Sequence, residues 1–196
     1  SRFDGHRDVG DPVKSSAVYN SQYADELIFL NIDSGQRTVA PLAALLEKVS
    51  EVCFMPLSVG GGIHCFEDAS FLIKHGADKV IVNSAVFDQP RLVTQIADRF
   101  GSQAVIAGID ARWNQAMGRH EVYSDCGRRP HLTPDVADHV RDCIARGAGE
   151  IFIQSIDRDG TISGFDIPLI RQVMGVTTVP VIAAGGIYDG KDIARF

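Results

Sequence analysis

Two motifs recur along this chain at one spacing, and that spacing restricts the folds open to it. Glu26 of ELIFLNIDSG is matched by Glu150 of EIFIQSIDRDG, and Pro56 of PLSVGGGI by Pro180 of PVIAAGGI, each pair 124 residues apart. A unit of that length is too long for a solenoid repeat. It has room for roughly four strand-helix modules, half of an eight-stranded parallel barrel of about 250 residues.

The modules are legible. Apolar runs at 26–32, 54–60, 79–85, 104–110, 150–156 and 179–185 are continuous rather than alternating, as in strands covered on both faces. Helices separate them. Asp11-Pro12 opens one, and Leu42, Leu45, Leu46 and Val49 stripe the next. Asp88 with Pro90 is expected to start a third, facing inward through Val93, Ile96, Ala97 and Phe100 and ending at Gly101. Thr133-Pro134 is expected to start another, with Val136, Val140, Cys143 and Ile144 inward until Gly147. Asp166 caps one carrying Ile170, Val173 and Met174.

Alternation of this kind fits an open doubly wound sheet or a closed barrel, and the repeat selects the barrel. The expected fold is α/β, a (β/α)8 TIM barrel with a half-barrel internal repeat, as a single domain over 1–196. The repeat mates of the strands at Lys79 and Asp110 would fall outside the chain, so the barrel is expected to lack its first and last strands. The loop-like opening SRFDGHRDVGDP and the helical close KDIARF agree with that. Such a chain by itself is expected not to close its barrel, because open strand edges leave backbone groups unpaired.

Composition removes several function classes. With 19 basic against 25 acidic residues the net charge is −6, spread along the chain, which disfavours nucleic-acid or membrane-surface binding. No apolar run reaches the roughly 18 to 20 residues of a spanning helix. The four cysteines form no CxxC pair, which fits a reducing cytoplasm.

In a barrel of this kind, chemistry sits at the carboxyl ends of the strands. Those positions hold Asn31, Gly60-Gly61-Gly62, Asn83-Ser84, Asp110, Ser155 to Gly160, and Ala184-Gly185-Gly186. A lone glycine cluster can serve a tight turn. Two clusters at matched places instead form two amide cradles, suited to a ligand with a phosphate at each end. Asn83 and Ser84 would complete the first and Gly160 would add a donor to the second. Asp110 is a carboxylate among apolar and small neighbours, placed for acid/base work. Of Asp157 and Asp159, one braces the loop and the other faces ligand.

No strand-end lysine supports Schiff-base chemistry, and there is no metal-ligand spacing, GxGxxG, GxxxxGK[ST] or GxSxG. No cofactor or metal is expected. At the opposite face Glu26, Lys79 and Glu150 all stand at strand starts, as a salt-bridged plug or as a gate.

Placed in this way, the chain resembles the family of cyclase subunits of imidazole glycerol phosphate synthase, from histidine biosynthesis. RDVGDPV, DELIFL, VGGGIH, GADKVIVNSA, TQIADRFGSQAVIAGIDA, GAGEIFIQSIDRDGTISGFD and VPVIAAGGI resemble that family's segments in its order. The resemblance implies a lyase acting on a bisphosphorylated formimino-carboxamide ribonucleotide. Ammonia from a glutaminase partner in a heterodimer would attack it, giving imidazole glycerol phosphate and aminoimidazole carboxamide ribotide.

By the same resemblance Asp110 and Asp159 match functional aspartates. Asn31, Gly61, Gly62, Asn83, Ser84, Ser155, Gly160, Gly185 and Gly186 would hold substrate, and Glu26, Lys79 and Glu150 would belong to the ammonia gate. The chain departs from the family pattern at Asn31, Gln154, Ala184 and the segment 125–132. These departures resemble a side branch that works with an amidotransferase partner, using its ammonia in amidating surface-polysaccharide sugars. A non-catalytic scaffold or conduit for a glutaminase is the third reading.

Overall fold

The computed structural model describes residues 10–33, 38–187 and 189–190. The sequence readings at 1–9 and 191–196 lie outside these. The described chain forms two compact units, one running up to Ile106 and the other from Ala107.

The first unit is a run of helix-strand modules. Asp11 caps α1 (Pro12–Ser21) by accepting the Val13 amide, and Pro12 supplies a preset φ at the first turn. Strands β1 (Leu27–Leu30), β2 (Leu57–Gly60) and β3 (Lys79–Val82) alternate with α2 (Ala40–Val49) and α3 (Phe66–Lys74), then lead to the short α4 (Ala85–Asp88) and to α5 (Leu92–Phe100). β1 and β2 run parallel with Leu27 opposite Leu57 and Leu30 opposite Gly60, and β2 pairs parallel with β3. Leu42, Leu46 and Val49 bury the inner face of α2, as their spacing predicts.

The second unit begins as β4 (Val105–Asn114) folds back on β5 (Arg119–Ser124), which pairs with β6 (Arg129–His131), both antiparallel. Then come α6 (Val136–Ala145), β7 (Glu150–Ser155), α7 (Ile167–Met174) and β8 (Val181–Ala184), with β7 and β8 parallel. Asp135 and Asp166 cap the two helices by accepting the amides of Asp138 and Leu169.

The repeat extends to backbone register. Ile151 lies opposite Val181 and Gln154 opposite Ala184, each pair displaced by 124 residues from its β1–β2 counterpart. Leu27 donates to the Pro56 carbonyl at 3.1 Å, and Ile151 to that of Pro180 at 3.0 Å. The bounds of α1 and α6 and their aspartate caps, Asp11 and Asp135, keep the same displacement. These parallel strands and their crossover helices are of the (β/α)8 barrel class.

Three expectations need correction. The helix expected from Asp88 starts at Leu92 behind Arg91, because residues 85–88 close a separate turn and Gln89 leaves helical geometry. The helix expected at Thr133-Pro134 starts at Val136, since Asp135 provides the side-chain cap that Thr133 does not. The strand expected to end at Asp110 runs on to Asn114 and into a hairpin.

Among the described residues no helix is long and apolar enough to cross a membrane.

Candidate functional site

The two glycine clusters occupy equivalent places at the carboxyl ends of β2 and β8. Gly61 and Gly62 have φ of 86° and 84°, and Gly185 and Gly186 have 95° and 90°, a region that favours glycine. Their surroundings also repeat. A Cβ on Gly61 would run into the Asn31 carbonyl oxygen, and one on Gly185 would lie 2.7 Å from that of Ser155. Asn31 and Ser155 are themselves repeat mates, each ending the neighbouring strand. In each unit, then, one strand end passes directly over the next cluster, and only a missing side chain permits it. The close approach of each neighbouring carbonyl is what requires glycine at Gly61 and Gly185.

Around the first cradle, Asn31 turns its Oδ1 to the Asp33 amide at 3.1 Å and donates through Nδ2 to the Thr38 carbonyl at 3.4 Å. Asn83 and Ser84 follow β3 and lead into α4, where their carbonyls accept from Val86 and Phe87. An open groove of about 510 Å³ lies here, lined by Thr38, Gly62, His64, Glu67, Asp68 and Phe71. Asp68 Oδ2 accepts the amides of His64 and Cys65 at 2.8 and 3.2 Å, capping α3. That carboxylate is therefore part of the helix start.

In the second unit Asp110 is 8% exposed and sits opposite Tyr123 on β5. Two residues along β4, on the same side of the strand, Arg112 lies over the Tyr123 ring, 4.9 Å from its centroid. β4 and β7 are tied directly beyond Asp110, where Ile156 donates to the Ala111 carbonyl at 2.9 Å.

The two loop aspartates separate by role. Asp157 Oδ2 accepts the Trp113 amide at 2.8 Å and Oδ1 stands 3.8 Å from Arg112 Nε, so Asp157 braces the loop against β4. Asp159 is half-buried, its amide held by the Ser155 carbonyl at 3.0 Å and its Oδ1 approached by Gln154 Nε2 at 3.4 Å. Gln154 and Ala184 are register partners, a long side chain opposite a short one. Gly160 is exposed in the same loop with φ 60°. Ser155 is buried, and its hydroxyl donates to Asp166 Oδ2 at 3.0 Å.

At the strand starts of the first unit, Lys79 pairs with Glu26. Lys79 Nζ lies 2.8 Å from Glu26 Oε2, with the side chains 18% and 23% exposed, and the buried Ser58 hydroxyl donates to Glu26 Oε1. Glu150 opens β7 in the other unit. Among the described residues no three His, Cys, Asp or Glu groups gather where they could hold a metal ion.

Sequence reasoning missed the hairpin and with it Arg112, Tyr123 and His120. Its signal was present in Asn114, whose Oδ1 accepts the Ala116 and Met117 amides in a turn closed at Gly118.

With this geometry in place, comparison with known proteins is decisive. The model of the family described as "Histidine biosynthesis protein" matches residues 1–196. The chain belongs to this histidine-biosynthesis family. It is 43% identical over 186 residues to the "Imidazole glycerol phosphate synthase subunit HisF" of Halalkalibacterium halodurans, covering 95% of this chain and 73% of that one. The protein of the same name from Myxococcus xanthus is 44% identical over 185 residues, 94% of this chain and 72% of its own. That of Leuconostoc mesenteroides is 42% identical over 189 residues, 96% and 74%.

Proposed function

We propose that the protein is the cyclase subunit of imidazole glycerol phosphate synthase. It would convert a bisphosphorylated formimino-carboxamide ribonucleotide and ammonia to imidazole glycerol phosphate and aminoimidazole carboxamide ribotide. The observation that carries this reading is the match to HisF proteins at 42–44% identity over nearly the whole chain. The names of these relatives give no support to the polysaccharide branch or to the scaffold reading.

Addition of ammonia and expulsion of the leaving amine each move a proton. Asp110, buried within β4, would serve as one half of the acid/base pair that gives or takes it, with Asp159 as a further functional carboxylate. The amides at Gly61 and Gly62, with Asn83 and Ser84, would hold one phosphate, and those at Gly160, Gly185 and Gly186 the other. Ser155 would serve through its backbone, because its hydroxyl is engaged by Asp166. Asn31 would line the first cradle. Glu26, Lys79 and Glu150, at the far ends of the strands, would gate ammonia arriving from a glutaminase subunit, and the cytoplasm is the setting this implies.

The test is turnover of the formimino ribonucleotide by full-length protein in excess ammonium. The expected result is multiple turnover in the wild type and a drop of at least 100-fold in kcat for Asp110→Asn, the range expected of a general acid/base. Absence of wild-type turnover would overturn the assignment.

A further inference from the structure

One buried carboxylate in the second unit gathers three elements, and neither the acid/base pair nor the cradles use it. Asp166 Oδ2 accepts from Ser155 Oγ at 3.0 Å and from His120 Nε2 at 3.3 Å, while Oδ1 accepts the Leu169 amide at 3.2 Å. Ser155, Asp166 and His120 are 2%, 8% and 4% exposed. The Asp166 carboxyl is held below the usual carboxylate range: burial alone would raise it, but His120, Leu169 and Ser155 together outweigh that. The carboxylate is therefore the acceptor and both side chains donate.

The position of this cluster gives it meaning. Ser155 ends β7 and Asp166 precedes α7, so their bond closes the base of the loop 156–165, which carries Asp157, Asp159 and Gly160. The Ser155 carbonyl in turn accepts the amides of Arg158 at 3.2 Å and Asp159 at 3.0 Å. Near its other end the same loop donates from Gly164 to the Gly186 carbonyl at 2.7 Å, so it is bound to the second cradle. His120 comes from β5, the strand paired with the one that bears Asp110. It lies opposite Trp113 in register, and the two rings pack edge to face with centroids 5.0 Å apart.

We infer that His120 is a positioning residue which, through Asp166 and Ser155, sets the loop bearing Asp159 relative to the strand bearing Asp110. It touches no substrate in this scheme. Its role rests on the cyclase reading for its catalytic consequence, but the mechanical link stands on geometry alone. A loop of this length held only at its chain ends would sample many conformations, whereas closure by a buried carboxylate with three donors leaves one. His120→Phe keeps a ring beside Trp113 and removes the donor, leaving the carboxylate short of one partner in a dry site.

The experiment uses full-length protein with His120→Phe and His120→Gln, whose amide donor reaches a similar point. Two readouts are taken: hydrogen-deuterium exchange of residues 156–165, and kcat and KM for ammonium-driven turnover. In His120→Phe the loop is expected to exchange at least 10-fold faster and kcat to fall about 10-fold with KM within 3-fold of wild type. His120→Gln is expected to recover most of both. If His120→Phe does not fold, His120→Ala, which admits water beside the carboxylate, takes its place. Wild-type exchange in the loop of the donor-lacking variant, or no recovery with Gln, overturns the inference. If the wild type itself fails to turn over, the cyclase reading falls while the exchange result still decides the positioning role.

Discussion

At the scale of single residues, what matters is which groups have no room to change. Gly61 and Gly185 combine positive φ with a carbonyl oxygen where a Cβ would go, whereas Gly118 has positive φ and open space. Urea unfolding should therefore show Gly61→Ala and Gly185→Ala losing about 3 kcal/mol or more, against about 1 kcal/mol for Gly118→Ala, where only backbone strain is paid. Similar losses at all three sites would reject the close-approach argument. His139 gives a second test. Burial lowers its pKa to about 4, with Asp142 opposing and His131 and Arg146 adding to the shift. Its partner on the same helix, Cys143, has a thiol pushed by burial up to about 12 and lies 3.8 Å away, so both are neutral near pH 7. As pH falls through the histidine's ordinary value near 6.5, the unfolded chain takes up the proton first. Stability should therefore decline between pH 6.5 and about 4, by roughly 3 kcal/mol from this residue. In His139→Gln the drop in urea midpoint between pH 7.5 and 4.5 should be correspondingly smaller.

At the scale of elements, caps decide where helices begin. Asp11, Asp135 and Asp166 each accept a backbone amide from the first turn, so each removes an orphan donor. Asp11→Ala and Asp135→Ala should each lower stability by about 1 kcal/mol in thermal or urea unfolding. An unchanged midpoint for either would mean that water serves those amides equally well. Proline was the less reliable signal. Pro12 sits in a first turn, but Pro90 and Pro134 precede their helices by two residues, because the residue with helical geometry and a usable amide partner comes later. The hairpin of β4 and β5 shows the opposite error. Its outer half was polar enough to read as loop, yet its pairing carries Arg112 over Tyr123 and brings His120 to Asp166.

At the scale of the whole molecule, the repeat links the two units in kind: the same register, the same capped helix and the same glycine beneath the same neighbouring strand end recur 124 residues on. The Lys79–Glu26 pair belongs to this scale, because its proposed work concerns a partner subunit. If it gates ammonia, Lys79→Met should reduce the ratio of glutamine-driven to ammonium-driven turnover at least 10-fold in the reconstituted complex. A ratio within 2-fold of wild type would make the pair a structural plug. Strand positions, the matched glycine turns and the burial of Asp110 in a strand were legible without coordinates, because apolar runs and glycine are local signals that a repeat amplifies. The choice of Asp157 as the aspartate that braces the loop, the engagement of Ser155 by Asp166 and the contact of His120 with Asp166 were not. Each depends on which strands lie side by side, and such non-local contacts between polar groups leave no period in the sequence. The sequence alone therefore determined the modules and the twofold plan, through burial patterns that any barrel half must obey. Only the tertiary structure decided which polar side chains hold one another, since that choice is made by hydrogen-bond geometry after the strands have been brought together.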